Sequence, residues 1–294
     1  MNYFRYIALL ILTTCCYSVG YASTEPSASY KIPFTNHGGL ILIDAELEGI
    51  SGVFVFDTGA DAVILNSPDQ FLSTDSSSEF HTLSGTITAS PTIVDELELG
   101  EYTFEDIVAY QSDLSALSSM VGSRLLGILG NNVFSSKVIS IDNDNNLIEI
   151  TDGHQLKNFL STSKYVRLEM EFVDNLIVIP VEFGDSTYKF SLDTGASVSI
   201  INEETRIINE ALFIKKDKEF SLSTAHADIT SEVYEVTSCN LANLRINKLQ
   251  FGTADLSVMS DSLPEDVVGI ISLDQLPLSQ IVFDFQGQNI YFGI

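Results

Sequence analysis

A chain of 294 residues, 45% apolar and 18% charged, is long enough for two cores of ordinary domain size and is not disordered in composition. Its 40 acidic and 14 basic residues give a formal charge of −26, which argues against nucleic acid or an anionic membrane surface as a partner.

The first residues read as an export signal. Arg5 precedes an apolar run from Ile7 to Leu12, and Gly20-Tyr21-Ala22 places small residues at both cleavage-determining positions. The run is too short for a stable bilayer span. Residues 1–22 are therefore expected to be removed, giving a periplasmic or secreted protein. A minor alternative makes Cys15 or Cys16 a lipid-bearing residue, although Thr14 is bulkier than such sites usually show. After cleavage at Ala22 only Cys239 remains, and one thiol closes no internal disulfide. Its simplest role is as a small buried apolar residue.

From Leu40 onward the chain is written twice. Leu40-Ile41-Leu42-Ile43 and Val53-Phe54-Val55-Phe56 are β-rich runs that lead into Asp57-Thr58-Gly59-Ala60. Leu176-Ile177-Val178-Ile179 leads, at the same spacing, into Asp193-Thr194-Gly195-Ala196. Ile64-Leu65-Asn66 and Ile200-Ile201-Asn202 continue the register. A short helix is expected after each: one capped by Ser67-Pro68 with Phe71 and Leu72 apolar, the other opened by Asn202 with Ile207, Ile208, Ala211 and Leu212. Gly85, with Thr86 and Ile87, is a candidate hairpin tip. Leu97 to Phe104 aligns with Leu244 to Phe251, and Leu126 to Gly130 with Val268 to Ser272. Asp142 and Asp284 recur, and the copies close on Leu147–Ile150 and Asn289–Phe292. The polar stretch 151–164 is the expected linker between lobes 23–150 and 165–294.

A lone Asp-Thr-Gly arises by chance in a chain this long with probability on the order of 0.05. Two of them, each after an apolar strand and inside a wider repeat, do not. Paired aspartates also have a shared chemistry. Two carboxyls a few ångströms apart cannot both ionise cheaply, so the pair holds one proton. The ionised member can take a proton from water while the other gives one to a carbonyl oxygen. Gly59 and Gly195 would let each loop turn tightly, and the Thr58 and Thr194 hydroxyls would reach the opposite loop's backbone.

These motifs resemble the aspartic peptidases, and specifically the retropepsin-like bacterial branch (clan AA) in a fused two-lobe form. Each copy follows that family's order: Asp-Thr-Gly-Ala, a flap region, a Leu-x-Leu-Gly-like strand pair at Leu97-Glu98-Leu99-Gly100, and an apolar-apolar-Gly element at Ile128-Leu129-Gly130. The resemblance implies a mainly β fold of two acid-protease-like β-barrel lobes related by a pseudo-twofold axis. It also implies an endopeptidase that uses Asp57 and Asp193, needs no cofactor or metal, and takes polypeptide in a cleft between the lobes. Gly85 would belong to the flap. A monomer is expected, since both aspartates lie in one chain. A weak or inactive peptide-binding protein on the same scaffold is the alternative.

Three departures stand out. Ser272 occupies the position of the second element's last glycine, which is tolerable at negative φ. The second flap region, Ser223 to Asp228, lacks a glycine. Ala60 and Ala196 stand where pepsin-like relatives carry a hydroxyl, so the pair is expected to stay singly protonated to higher pH. Little room lies between Ala22 and Tyr30 for a long inhibitory leader, so no large propeptide is expected. His37, His81, His154 and His226 show no metal-ligand spacing. Asn143 to Asn146 reads as a hairpin turn, and Asp142 and Asp284 as structural hydrogen-bonding groups.

Overall fold

The structure, a computed structural model, describes residues 29–67, 78–82, 85–161, 164–223, 228–259, 263–264 and 266–293. The expected signal segment and the helix expected after Ser67, with Pro68, Phe71 and Leu72, lie outside these residues, as does most of the second flap region.

The first lobe opens with a meander of β1 (Tyr30–His37), β2 (Leu40–Leu47) and β3 (Ile50–Phe56), followed by β4 (Val63–Asn66). The hairpin β5 (Ser78–Thr82) and β6 (Gly85–Leu99) runs into β7 (Tyr102–Ser112) and α1 (Ser115–Val121). The lobe ends with β8 (Leu125–Leu129), β9 (Lys137–Asp142) and β10 (Leu147–Asp152). A 3-10 turn and α2 (Leu156–Leu160) occupy the polar connection.

The second lobe repeats the plan. It contains β11 (Tyr165–Glu169), β12 (Glu171–Val173), β13 (Leu176–Phe183), β14 (Ser186–Asp193) and β15 (Ser199–Asn202). Then come α3 (Glu203–Ile208), β16 (Phe213–Ser223), β17 (Asp228–Val236), β18 (Ser238–Leu241) and β19 (Leu244–Asn247). β20 (Gln250–Ala254), β21 (Val267–Ser272), β22 (Gln280–Asp284) and β23 (Asn289–Gly293) complete it.

A shared sheet joins the lobes. β1, β10 and β9 come from one half and β22, β23 and β11 from the other, with β9 and β22 antiparallel at the seam. Phe134 and Phe285 stack 6.1 Å apart beneath it, so one apolar core runs through both halves. Burying each such ring stabilises the fold by about 1.5–3 kcal/mol.

β3 is apolar at successive positions because both of its faces are covered. Phe54 and Phe56 enter the main core, while Val55 points to a second cluster with Leu40, Leu42 and Leu125. Leu114 and Val121, at the two ends of α1, close that cluster. In the second lobe a 3-10 turn, Leu256–Met259, stands in its place and Leu256 covers Ile200 and Ile270.

Two sequence expectations need correction. First, hairpin register sets Leu99 opposite Tyr102 in one lobe and Leu241 opposite Leu244 in the other. The true match of Leu97-Glu98-Leu99-Gly100 is therefore Cys239-Asn240-Leu241-Ala242, and the alignment of Leu97–Phe104 with Leu244–Phe251 is five residues out of step. Left-handed backbone at Gly100 and Ala242, and again at Asp106 and Lys248, confirms the register. Second, α3 ends at Ile208, and Ile207 and Ile208 are exposed rather than forming a buried face. The opening is as expected, with the Asn202 side chain accepting the Glu204 amide at 3.2 Å.

Candidate active site

In each lobe the strand that carries the aspartate lies parallel to the apolar-apolar-Gly strand, which in turn pairs antiparallel with the next strand. Thus β8 sits between β3 and β4, and β21 between β14 and β15, giving the ψ-shaped arrangement twice. Glycine is required at the crossing. A Cβ on Gly127 would lie 2.2 Å from the Ile64 carbonyl oxygen, and one on Gly269 would lie 2.2 Å from the Phe190 ring. The aspartate loops are thereby held at the strand ends. The Asp57 amide donates to the Leu129 carbonyl at 3.1 Å.

The two loops are locked together by their threonines. Thr58 Oγ1 donates to the Leu192 carbonyl at 2.9 Å and accepts the Thr194 amide at 3.0 Å. Thr194 Oγ1 donates to the Phe56 carbonyl at 2.8 Å and accepts the Thr58 amide at 2.9 Å. Both side chains are buried, so water does not compete.

This lock brings Asp57 and Asp193 face to face and half-buried, with their carboxyls within hydrogen-bonding reach of each other. The glycines set how close the loops come. A Cβ on Gly59 would lie 2.4 Å from the Asp193 carboxyl, and one on Gly195 2.3 Å from that of Asp57. The backbone also serves each carboxylate: the Gly59 amide donates to Asp57 Oδ1 at 2.8 Å, and the Gly195 and Ala196 amides to Asp193 Oδ1 at 2.6 and 3.0 Å.

Desolvation raises the pKa of both acids above the ordinary carboxylate range. For Asp57 the hydrogen bonds from Asp193 and the loop amides oppose it, whereas Asp193 is pushed well up by burial and by the charge of Asp57. Both shifts have one sense: two such acids in contact hold a proton between them to higher pH than a lone carboxyl would. Ala60 and Ala196 line the same loops without any hydroxyl. Nearby, Asp61 is raised by its own desolvation, with Asp174 of the other lobe adding to it.

Gly85 pairs with Thr82 at the described end of the β5–β6 hairpin, and β5 lies against the Leu256–Met259 turn of the second lobe. That hairpin therefore reaches from one half to the other, while residues 83 and 84 at its tip lie outside the described residues. Ser272 has φ −71°, the negative value that a serine there requires.

Sequence reasoning missed Asn131. Its fully buried Nδ2 donates to the carbonyls of Thr58 and of Asn175, both at 2.7 Å, and so ties the first aspartate loop to the second lobe. Its position just after Gly130 was the available signal. The other singled-out residues have structural places. Asp142 Oδ1 accepts the Asn145 amide and Asp284 Oδ1 the Gly287 amide, one turn in each lobe. His37 Nε2 lies 3.1 Å from the Met120 carbonyl, and the other three histidine side chains lie outside the described residues. Among the described residues no three His, Cys, Asp or Glu side chains converge as a metal site, and no helix is long and apolar enough to cross a membrane.

A family model described as aspartyl protease matches this chain twice, over residues 43–133 and 179–272. The chain is similar in fold to the crystal structure of an aspartic proteinase from Irpex lacteus. The TM-score is 0.55 at 12% identity, over 90% of this chain and 97% of that one. No curated protein sequence matches it.

Proposed function

The chain belongs to the aspartyl protease family, and from that premise we propose that it is an endopeptidase whose catalytic pair is Asp57 and Asp193. The close approach of these two carboxyls, each seated against the glycine of the opposite loop, carries the reading. Ionised Asp57 takes a proton from a water as the water oxygen bonds to the peptide carbonyl carbon. Protonated Asp193 gives its proton to the carbonyl oxygen, forming a tetrahedral diol. The proton then held by Asp57 passes to the amide nitrogen as the C–N bond breaks. One diol hydroxyl returns its proton to Asp193, leaving a carboxyl and an amine.

The substrate is an extended polypeptide in the cleft between the lobes, beneath the hairpin that includes Gly85. Thr58, Gly59, Ala60, Thr194, Gly195 and Ala196 support the pair. One chain supplies both aspartates, so a monomer suffices. We place the protein outside the cytoplasm, with residues 1–22 as its export signal; an intact mass that retains Met1 would exclude cleavage.

A second reading, a peptide-binding protein without turnover, draws on the altered second-lobe element at Ser272. Unfolded casein separates the two. Wild type is expected to cleave it between about pH 3 and pH 7, and Asp57→Asn is expected not to. An inert wild type, or an equally active variant, sinks the peptidase.

A further inference from the structure

The two aspartate loops are braced by different chemistry. In the first lobe, Gly130 has φ −90° and ψ 179°, and the next amide, that of Asn131, donates to the Ala60 carbonyl at 2.9 Å. A side chain is impossible there, because a Cβ on Gly130 would come within 2.2 Å of the Ala62 carbonyl oxygen. In the second lobe the equivalent Ser272 has φ −71° and ψ 127°. That ψ turns the following peptide away from the extended direction found at Gly130. The carbonyl of Ala196 instead accepts the Ser272 hydroxyl, at 2.6 Å.

A second exchange accompanies the first. The Val63 amide of the first lobe donates to Asn132 Oδ1 at 3.1 Å. Its counterpart position, Ser199, accepts the Ser272 amide on its hydroxyl at 3.0 Å. Ser199 and Ser272 are both fully buried. Burial without a partner would cost each hydroxyl its hydration, so the paired geometry is held firmly.

We propose that Ser272 is a positioning residue for the second aspartate loop, its hydroxyl replacing the peptide N–H that braces the first. The path to the acid is short. Ser272 holds Ala196 by its carbonyl, and the amide of the same Ala196 donates to Asp193 Oδ1 at 3.0 Å. The serine is therefore not a decayed glycine. It is a replacement that needs its own partner, Ser199, and it keeps the two loops equally tight by unequal means. The proposal rests on the reading of Asp57 and Asp193 as the catalytic pair.

The test measures the carboxyl carbons of Asp57 and Asp193 directly, by NMR titration of 13C-labelled wild type, Ser272→Ala and Ser272→Gly. Releasing Ala196 slackens its hydrogen bond to Asp193, and that bond favours the ionised form. Asp193 in Ser272→Ala is therefore expected to titrate at higher pH than in wild type. Turnover is expected to fall about tenfold in kcat with KM little changed, since the loss acts on the acid rather than on substrate binding. Ser272→Gly can adopt the extended backbone of Gly130 and recover a peptide donor, so its displacement is expected to be the smaller. An Asp193 titration in Ser272→Ala that coincides with wild type overturns the proposal, as does a displacement in Ser272→Gly larger than in Ser272→Ala; should Ser272→Ala not fold, Ser272→Cys, whose thiol is a poorer donor, takes its place. The NMR result stands apart from turnover: a wild type that cleaves nothing would remove the peptidase reading and leave the role of Ser272 to be decided by titration.

Discussion

Ser140 and Val282 face each other across the antiparallel β9–β22 ladder, and they are also the same position of the repeat. Their separation along the chain equals that of Gly127 and Gly269, so the pseudo-twofold axis passes between them. The same axis relates Thr58 to Thr194 and Asp57 to Asp193. Duplication in sequence becomes symmetry in space at one residue pair, and the site lies on the line it defines.

The raised pKa values set opposite demands on function and stability. Asp193 holds its proton more tightly folded than unfolded, so the folded state binds more protons and its stability falls as pH rises through the folded pKa. Asp193→Asn carries no such penalty. It is expected to abolish casein cleavage yet raise the thermal midpoint relative to wild type at pH 7. The gain should vanish below the ordinary carboxylate value of 3.8. Paired melts at pH 7 and about pH 3 check the sign.

The same shifts govern activity. In the proposed mechanism turnover requires one proton on the pair, and the raised pKa of both acids delays its loss. The basic limb of the pH–rate profile is therefore expected to extend toward neutrality, as the missing hydroxyls at Ala60 and Ala196 also require. A profile confined below about pH 3 would contradict it.

The threonine lock predicts a split between two similar substitutions. Thr58→Ser keeps the hydroxyl, with both of its partners, and should stay near wild type. Thr58→Val leaves the Leu192 carbonyl and the Thr194 amide without that partner. A loss of roughly 2–4 kcal/mol is expected in chemical denaturation.

Cys239 should be inert in the native protein. Burial pushes its thiol up to about 12, and it occupies the position of Leu97 in the other lobe. Reaction with a thiol reagent at pH 8 is expected only after denaturant is added. Rapid labelling of the folded chain would refute this.

The legible parts of this molecule were those in which physics leaves few residue choices. Asp57-Thr58-Gly59 and its copy could be read because a carboxyl, a grip hydroxyl and a missing Cβ are each needed at one place. Gly127 and Gly269 were readable for the same steric reason. The hairpins were not, because alternating apolar residues look alike after a slip. Cys239-Asn240-Leu241-Ala242 shares only one leucine with its true partner, and of the left-handed positions Gly100, Asp106, Ala242 and Lys248 only the first is a glycine. Ile207 and Ile208 showed helical spacing but lie on a helix too short to bury them. The bracing role of Asn131 depends on partners distant in sequence, Thr58 and Asn175, and that of Ser272 on its backbone angle ψ, which a serine does not announce.

The seam built by β9 and β22 means that covalent continuity between the halves is not what holds them in one piece. A protease that nicked the connection after Asp152 would cut the string without opening the knot. Two fragments bound through that ladder and the crossed threonines would still hold the two aspartate loops against each other.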